Sequence, residues 1–200
     1  KLTKLENLKK IAKTNKPFII YKSNKGFDLY TDFSKKIILT NNNIKDFINK
    51  ATQFKFKKKE TDIFIGFFGY EILNNLIGVK VKKQKGLKFP KGIFYKPETK
   101  VKLQNKLDYQ NLRLIKSNKY FKVNLNKTSY KVIFDNFKKK IKSGETYQIK
   151  ICTKYSNTTQ IDALDFFCRL TKSNMAPEAF MIKDKDYSII SCSPENLINK

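Results

Sequence analysis

Apolar and polar positions along this chain alternate in short stretches, broken by a few segments with helical spacing. Leu2 to Lys13 sets Leu5, Leu8 and Ile11 on one helical face, with lysines on the other. Pro17 to Tyr21 reads as a short strand, turned at Asn24-Lys25-Gly26 into Phe27 to Tyr30, and Lys36 to Thr40 reads as a third strand. Asn41 to Asn43 offer an N-cap to a helix from Ile44 to Ala51, with Ile44, Phe47 and Ile48 on its apolar face. Lys55 to Glu60 is a charged connector. Asp62 to Glu71 is almost continuously apolar, which predicts a strand buried on both faces. Gly66 and Gly69 within it allow another backbone to come close. A helix from Glu71 to Val79 is expected to end at Gly78. Beyond a basic loop, Lys80 to Lys88, extended pieces are predicted at Phe89 to Tyr95, Leu112 to Ile115 and Tyr120 to Val123.

From Asn124 onward the pattern is better specified. Thr128 or Ser129 can cap a helix carrying Tyr130, Ile133, Phe134, Phe137 and Ile141 on one face. Lys138 to Lys140 crowd its last turn, where the helix dipole favours cations, and Ser143-Gly144 stops it. Tyr147, Ile149, Ile151, Thr153 and Tyr155 alternate with polar residues, predicting a strand with one apolar face and Tyr147 in the core. A helix over Ile161 to Thr171 should bury Leu164, Phe167, Cys168 and Leu170. Ala179 to Ile182 and Tyr187 to Cys192, joined by the polar turn Lys183 to Asp186, form a hairpin. The fold class that follows is α+β, with antiparallel sheets and helices packed on their outer faces. The stretch ends at Ser193-Pro194-Glu195. Pro194 fixes φ, which gives Glu195 a defined direction, and a carboxylate held near apolar strands has the raised pKa that a general acid needs. From composition alone, an exposed glutamate at a strand end is the plainer alternative.

Composition changes this picture in a few places. The 200 residues suit one large domain, or a small one with part of another, and 17 Phe and 10 Tyr supply ample core. The net charge of +26 has two readings, an anionic partner or coding bias. Arg113 and Arg169 are the only arginines, and Lys, Asn and Ile together are what an AT-rich genome over-supplies. Sites dedicated to nucleic acid lean on arginine, so nucleic acid is not an expected partner. A lysine-rich nucleic-acid-binding module is kept as the rival from another class. There is no histidine, and Cys152, Cys168 and Cys192 have no CxxC spacing, which excludes a zinc site or a His-based nucleophile within these residues. An odd cysteine count without a signal sequence fits the cytoplasm. No apolar run approaches the ~18 residues of a membrane span. Lys1 and the strand-like Asn196 to Lys200 predict a piece of a longer chain, so the fold is expected to be incomplete.

The segments Ile141-Lys142-Ser143-Gly144-Glu145-Thr146-Tyr147-Gln148-Ile149, Asn174-Met175-Ala176-Pro177 with Ala179-Phe180, and Ser193-Pro194-Glu195 follow one another in a telling order. Together they resemble the opening of the chorismate-binding domain of component I of aminodeoxychorismate synthase and anthranilate synthase. Gly66-Phe67-Phe68-Gly69-Tyr70-Glu71 resembles a segment of the N-terminal domain in those enzymes. The resemblance implies an N-terminal α+β domain over residues 1–123 and the start of the catalytic domain over 124–200. It implies chorismate as substrate, Mg2+ as cofactor with its ligands beyond residue 200, and a glutamine amidotransferase subunit as partner. Ammonia attacks C2 of chorismate and the 4-hydroxyl leaves. One branch returns an amino group to C4, and the other eliminates pyruvate. Carried over, Glu195 is the general acid/base, and Asn174 and Pro177 match a tryptophan-binding segment. There the chain departs from the family: Met175 replaces a common proline, Glu178 an aromatic residue, and the acidic element beside that pocket has Ile19 to Ser23 as its nearest counterpart. Tyr147 and the Asn174-x-Ala176-Pro177 pattern lean toward the aminodeoxychorismate branch. These 200 residues alone are expected to be inactive.

Overall fold

Six antiparallel strands, drawn from both ends of the chain, form the main sheet. The structure is a computed structural model that describes residues 5–23, 25–52, 59–79, 90–103, 107, 116–117 and 120–193. The first half runs α1 (Leu5–Lys13), β1 (Phe18–Ser23), β2 (Gly26–Ile38), α2 (Ile44–Thr52), β3 (Ile65–Phe68), α3 (Tyr70–Leu76) and β4 (Gly92–Leu103). The second runs β5 (Lys116–Ser117), β6 (Lys122–Val123), α4 (Lys127–Lys142), β7 (Tyr155–Ser156), β8 (Thr159–Gln160), α5 (Ala163–Ser173), β9 (Glu178–Lys183) and β10 (Ser188–Ser193). Two compact units result, one of residues 1–112 with 163–200 and one of residues 113–162.

The larger unit holds the sheet, in the order β10-β9-β1-β2-β4-β3. Its alternation sorts side chains cleanly onto two faces. Phe18 and Ile20 of β1, Phe27 and Leu29 of β2, and Ala179 and Met181 of β9 point to one side, where Leu8 of α1 and Leu164, Phe167 and Cys168 of α5 cover them. Ile19, Tyr30, Ile93, Tyr95 and Ile182 form a second cluster, and α2 and α3 close a third with Ile44, Phe47 and Ile72 around Leu39. The predicted α+β class is what the structure shows, with the sheet curled. Asp184, in the β9–β10 turn, bonds Tyr95 of β4 although β1 and β2 lie between them in the sheet.

Some elements differ from expectation for identifiable reasons. The two strands predicted over Phe27 to Tyr30 and Lys36 to Thr40 are one 13-residue strand, β2. Polar Thr31 to Lys35 looked like a break, but the pairing with β4 continues through it, shifting register between Phe33 and Lys35. The apolar run around Gly66 is an edge strand, paired with β4 on one side only and therefore half-buried, with Ile65 and Phe67 packed on the second cluster and Phe64 on the third. Asn43 accepts from the Thr40 amide (2.7 Å) and donates to the Ile38 carbonyl (2.9 Å), bracing the entry to α2. Gly78 ends the α3 segment at φ 75, with the Val79 amide bonded back to the Asn74 carbonyl. The basic stretches Lys55 to Lys58 and Lys80 to Lys88, and the strand expected at Leu112 to Ile115, lie outside the described residues.

In the smaller unit, Asn126 rather than Thr128 or Ser129 caps α4, its side chain accepting from the Ser129 amide at 2.8 Å. The predicted stop holds: Gly144 takes φ 77 and the Glu145 amide reaches back to the Lys140 carbonyl. No residue of α4 is buried, so its apolar face is exposed or half-exposed. The strand expected from Tyr147 is present only as Tyr155–Ser156, and Tyr147 is 91% exposed rather than core. The alternation itself survives: Ile149, Ile151 and Thr153 are half-buried while Gln148, Lys150, Cys152 and Lys154 are exposed. Such a pattern states which face is to be covered, whereas a strand also needs a partner for its backbone groups. Among the described residues, no helix is long and apolar enough to cross a membrane.

Candidate functional site

The hairpin β9–β10 brings the best-patterned segment of the sequence against β1. Residues Phe18 to Tyr21 pair with Lys183 to Phe180, so Tyr21 lies beside Phe180 on one flank and Asp28 of β2 on the other. The approach to this seam is built by α5 and the turn after it. Buried Leu164, Phe167, Cys168 and Thr171 fix the helix, and the Thr171 hydroxyl is tied to the Phe167 and Cys168 carbonyls at 3.0 Å. Ser173 caps the last carbonyls of α5, the Asn174 amide donates to the Leu170 carbonyl (2.8 Å), and the Ala176 amide folds back onto the Asn174 carbonyl (2.9 Å). Ala176 is buried, whereas Asn174 and Pro177 are exposed on the turn leading into β9.

At the start of β9, Tyr21 donates its hydroxyl to the Glu178 carboxylate. Burial, reinforced by that carboxylate, pushes the tyrosine pKa up to about 12. The Ile19 to Ser23 segment and the Asn174 to Pro177 turn, linked only by resemblance in the sequence, are therefore neighbours. Glu178, the residue after Pro177, thus forms a polar tie to Tyr21.

Two further polar clusters hold the same face of the sheet. Asp28 pairs with Lys100 at 3.1 Å, and Lys100 also reaches Glu60 at 3.5 Å and lies 5.8 Å from the centre of the Tyr30 ring. Burial lowers the Lys100 pKa, but the bond to Asp28 and the neighbouring charges outweigh it, so the ammonium is held above its ordinary value. Asp184 accepts from Lys36 (2.6 Å), the Tyr95 hydroxyl and the Lys185 amide (2.7 Å). Burial raises its pKa, and these donors more than reverse that, holding the carboxyl below its ordinary range. Tyr95 and Tyr187 are both pushed up, by burial first.

Of the residues singled out in the sequence, Asn174 and Pro177 are placed together on one turn. Glu195 lies outside the described residues; β10 ends at Ser193. Among the described residues no group of three or more His, Cys, Asp or Glu side chains is arranged to hold a metal ion. Sequence reasoning missed Tyr21, Asp28, Lys100 and Asp184. For Asp28 the available signal was charge inside an apolar strand, since it sits between Phe27 and Leu29, whereas Asp184 lies in a polar turn and gave no such signal. Buried charge of this kind requires a partner.

Comparison with known proteins agrees with the motif order. A family model described as "chorismate binding enzyme" matches residues 8–200. Among curated proteins, anthranilate synthase component 1 of Buchnera aphidicola subsp. Schizaphis graminum (strain Sg) is 28% identical over 129 residues, covering 62% of this chain. The match takes in 23% of that relative's length, so the chain spans under a quarter of it. With a match that runs over nearly all of its residues, the chain belongs to the chorismate-binding enzyme family.

Proposed function

We propose that this chain is part of a cytoplasmic chorismate-aminating synthase of the aminodeoxychorismate type. In this reading, ammonia supplied by a glutamine amidotransferase subunit, or free ammonium, attacks C2 of chorismate as the 4-hydroxyl leaves. A second ammonia then adds at C4 as the C2 amino group departs as ammonia, giving 4-amino-4-deoxychorismate with the net exchange of the 4-hydroxyl for an amino group. What carries the reading is the ordered set Ser143-Gly144-Glu145-Thr146-Tyr147-Gln148, Asn174-x-Ala176-Pro177 and Ser193-Pro194-Glu195 within a chain of the chorismate-binding family. Residues 124–200 would open the catalytic domain behind an N-terminal domain over 1–123.

Glu195 is assigned the proton transfer to the departing hydroxyl. A glutamate serves this purpose when its surroundings keep it protonated near operating pH. Asn174 and Pro177 border a neighbouring regulatory pocket in this proposal, with the Tyr21–Glu178 tie standing at its edge and altering what that pocket accepts. Mg2+ would neutralise the substrate's carboxylates. The described carboxylates do not fit it, since none lies in a group of metal-ligand type.

Anthranilate synthase component 1 is the second reading, favoured by the name of the matched relative. Chromatography of the products formed from chorismate and ammonium by the full-length gene product separates the two. The first reading expects 4-amino-4-deoxychorismate without pyruvate, and anthranilate with equimolar pyruvate would replace it by the second.

A further inference from the structure

The smaller unit, residues 113–162, shows no interior of its own: from Tyr120 to Asp162, all of them described, not one residue is buried. Helical spacing sets Tyr130, Ile133, Phe134, Phe137 and Ile141 on one face of α4. Tyr130, Phe134 and Ile141 are 42%, 46% and 42% exposed, and the rings of Tyr130 and Phe134 stack with 6.4 Å between their centres. A helix of this length standing alone is marginal in water, and in a protein its stability comes from packing such a face.

The same unit makes a second demand. Ile149, Ile151 and Thr153 are half-buried in alternation with exposed Lys150 and Cys152, yet among the described residues this segment has no ladder partner. Backbone groups left out of a ladder are a template for another strand. A bilayer could take the apolar face of α4, but it has no backbone to pair with the segment. A second copy would bring like charges together, because Lys127, Lys131, Lys138 and Lys142 border the apolar face. With Lys139 and Lys140, α4 carries six lysines against one aspartate, Asp135. Further polypeptide of the same protein meets both demands, and the matched relative has the length to supply it, since the match takes in 23% of that relative.

We propose that polypeptide beyond residue 200 of the full-length protein covers this unit. One of its strands pairs with Ile149 to Thr153, and an apolar surface closes over Tyr130, Phe134 and Ile141. Burial and hydrogen bonding set this cover, so it stands whether or not the protein acts on chorismate, and its test uses no substrate.

Photo-cross-linking in the full-length gene product tests this, with Phe134→p-benzoylphenylalanine as the probe. Val132→p-benzoylphenylalanine is the control, since Val132 lies on the opposite face of α4 and is 56% exposed. The probe at position 134 is expected to form an adduct within a single chain, to a peptide beyond residue 200, and the control to leave that peptide unlabelled. In the unsubstituted protein, alternate amides between Ile149 and Thr153 should exchange with solvent about 100-fold or more slowly than in an unstructured peptide. This second measurement needs no variant, so a probe that disturbs folding does not decide the matter. An adduct to a peptide within residues 1–200, an adduct at twice the mass of the chain, no adduct at position 134, or Ile149 to Thr153 amides that exchange like an unstructured peptide would each overturn the proposal.

Discussion

Gly66→Ala is expected to unseat β3 from the sheet, lowering folding stability by roughly 3 kcal/mol or more. A Cβ at this position would stand 1.9 Å from the Ile93 carbonyl oxygen and 2.8 Å from the Phe94 Cα. Those are backbone atoms of β4, which is paired along β2 on its other side and has no rotamer to retreat into. Losing β3 also removes Ile65 and Phe67 from the cluster around Tyr95. Gly78→Ala is the useful comparison. Nothing lies within 4 Å of a Cβ there, but the φ of 75 is unfavourable for alanine, so its cost should be about 1 kcal/mol. Urea midpoints of the two variants measure the difference. Equal midpoints would mean that β4 yields and that the close approach at Gly66 is not what holds the edge.

Asp184→Ala should be the next most damaging change, by about 3 kcal/mol. The carboxylate is nearly buried and ties the β9–β10 turn to Lys36 of β2 and Tyr95 of β4. Its removal leaves the fully buried Tyr95 without its acceptor and an ammonium without its partner. Lys36 is 45% exposed and can turn to water, so Lys36→Met should cost less, about 1 kcal/mol or below. The pH dependence fixes the sign. Because the folded carboxyl is held below its ordinary value, its stabilisation is complete above the unfolded pKa of about 3.9 and is lost as pH falls through the folded one. Wild type and Asp184→Asn should therefore converge in stability below about pH 4. A gap that stays constant into acid would show that the carboxylate's charge is not what the clasp uses.

Such a clasp could not be read from the sequence, and the reason is general. Alternation and helical spacing report local geometry, and on that level the chain was readable. α1, α2, α5, the β9–β10 hairpin and the stops at Gly78 and Gly144 lie where their patterns put them. Strand partners are non-local. Nothing between Phe18 and Tyr21 announces that Phe180 to Lys183 will lie beside them, and nothing in Asp184 names Tyr95. The Thr31 to Lys35 break was misread for the same reason, since β4 supplies the pairing that carries β2 through it. Around Tyr147 the opposite occurred: the alternation is real, but the described residues give most of that segment no ladder partner. The candidate site was readable as far as its motifs reach. Asn174 and Pro177 were visible as a patterned turn, whereas the Tyr21–Glu178 tie needed the fold to bring residues 157 positions apart into contact.

We propose that this chain helps to process chorismate, with Glu195 moving the proton. The most direct test is ammonium-dependent consumption of chorismate by the full-length gene product, compared with its Glu195→Gln variant at matched folding. Consumption in the wild type, and a loss of kcat of about 100-fold or more in the variant with little change in KM, is the predicted result. An unchanged kcat in Glu195→Gln, or a wild type that leaves chorismate untouched, would contradict it.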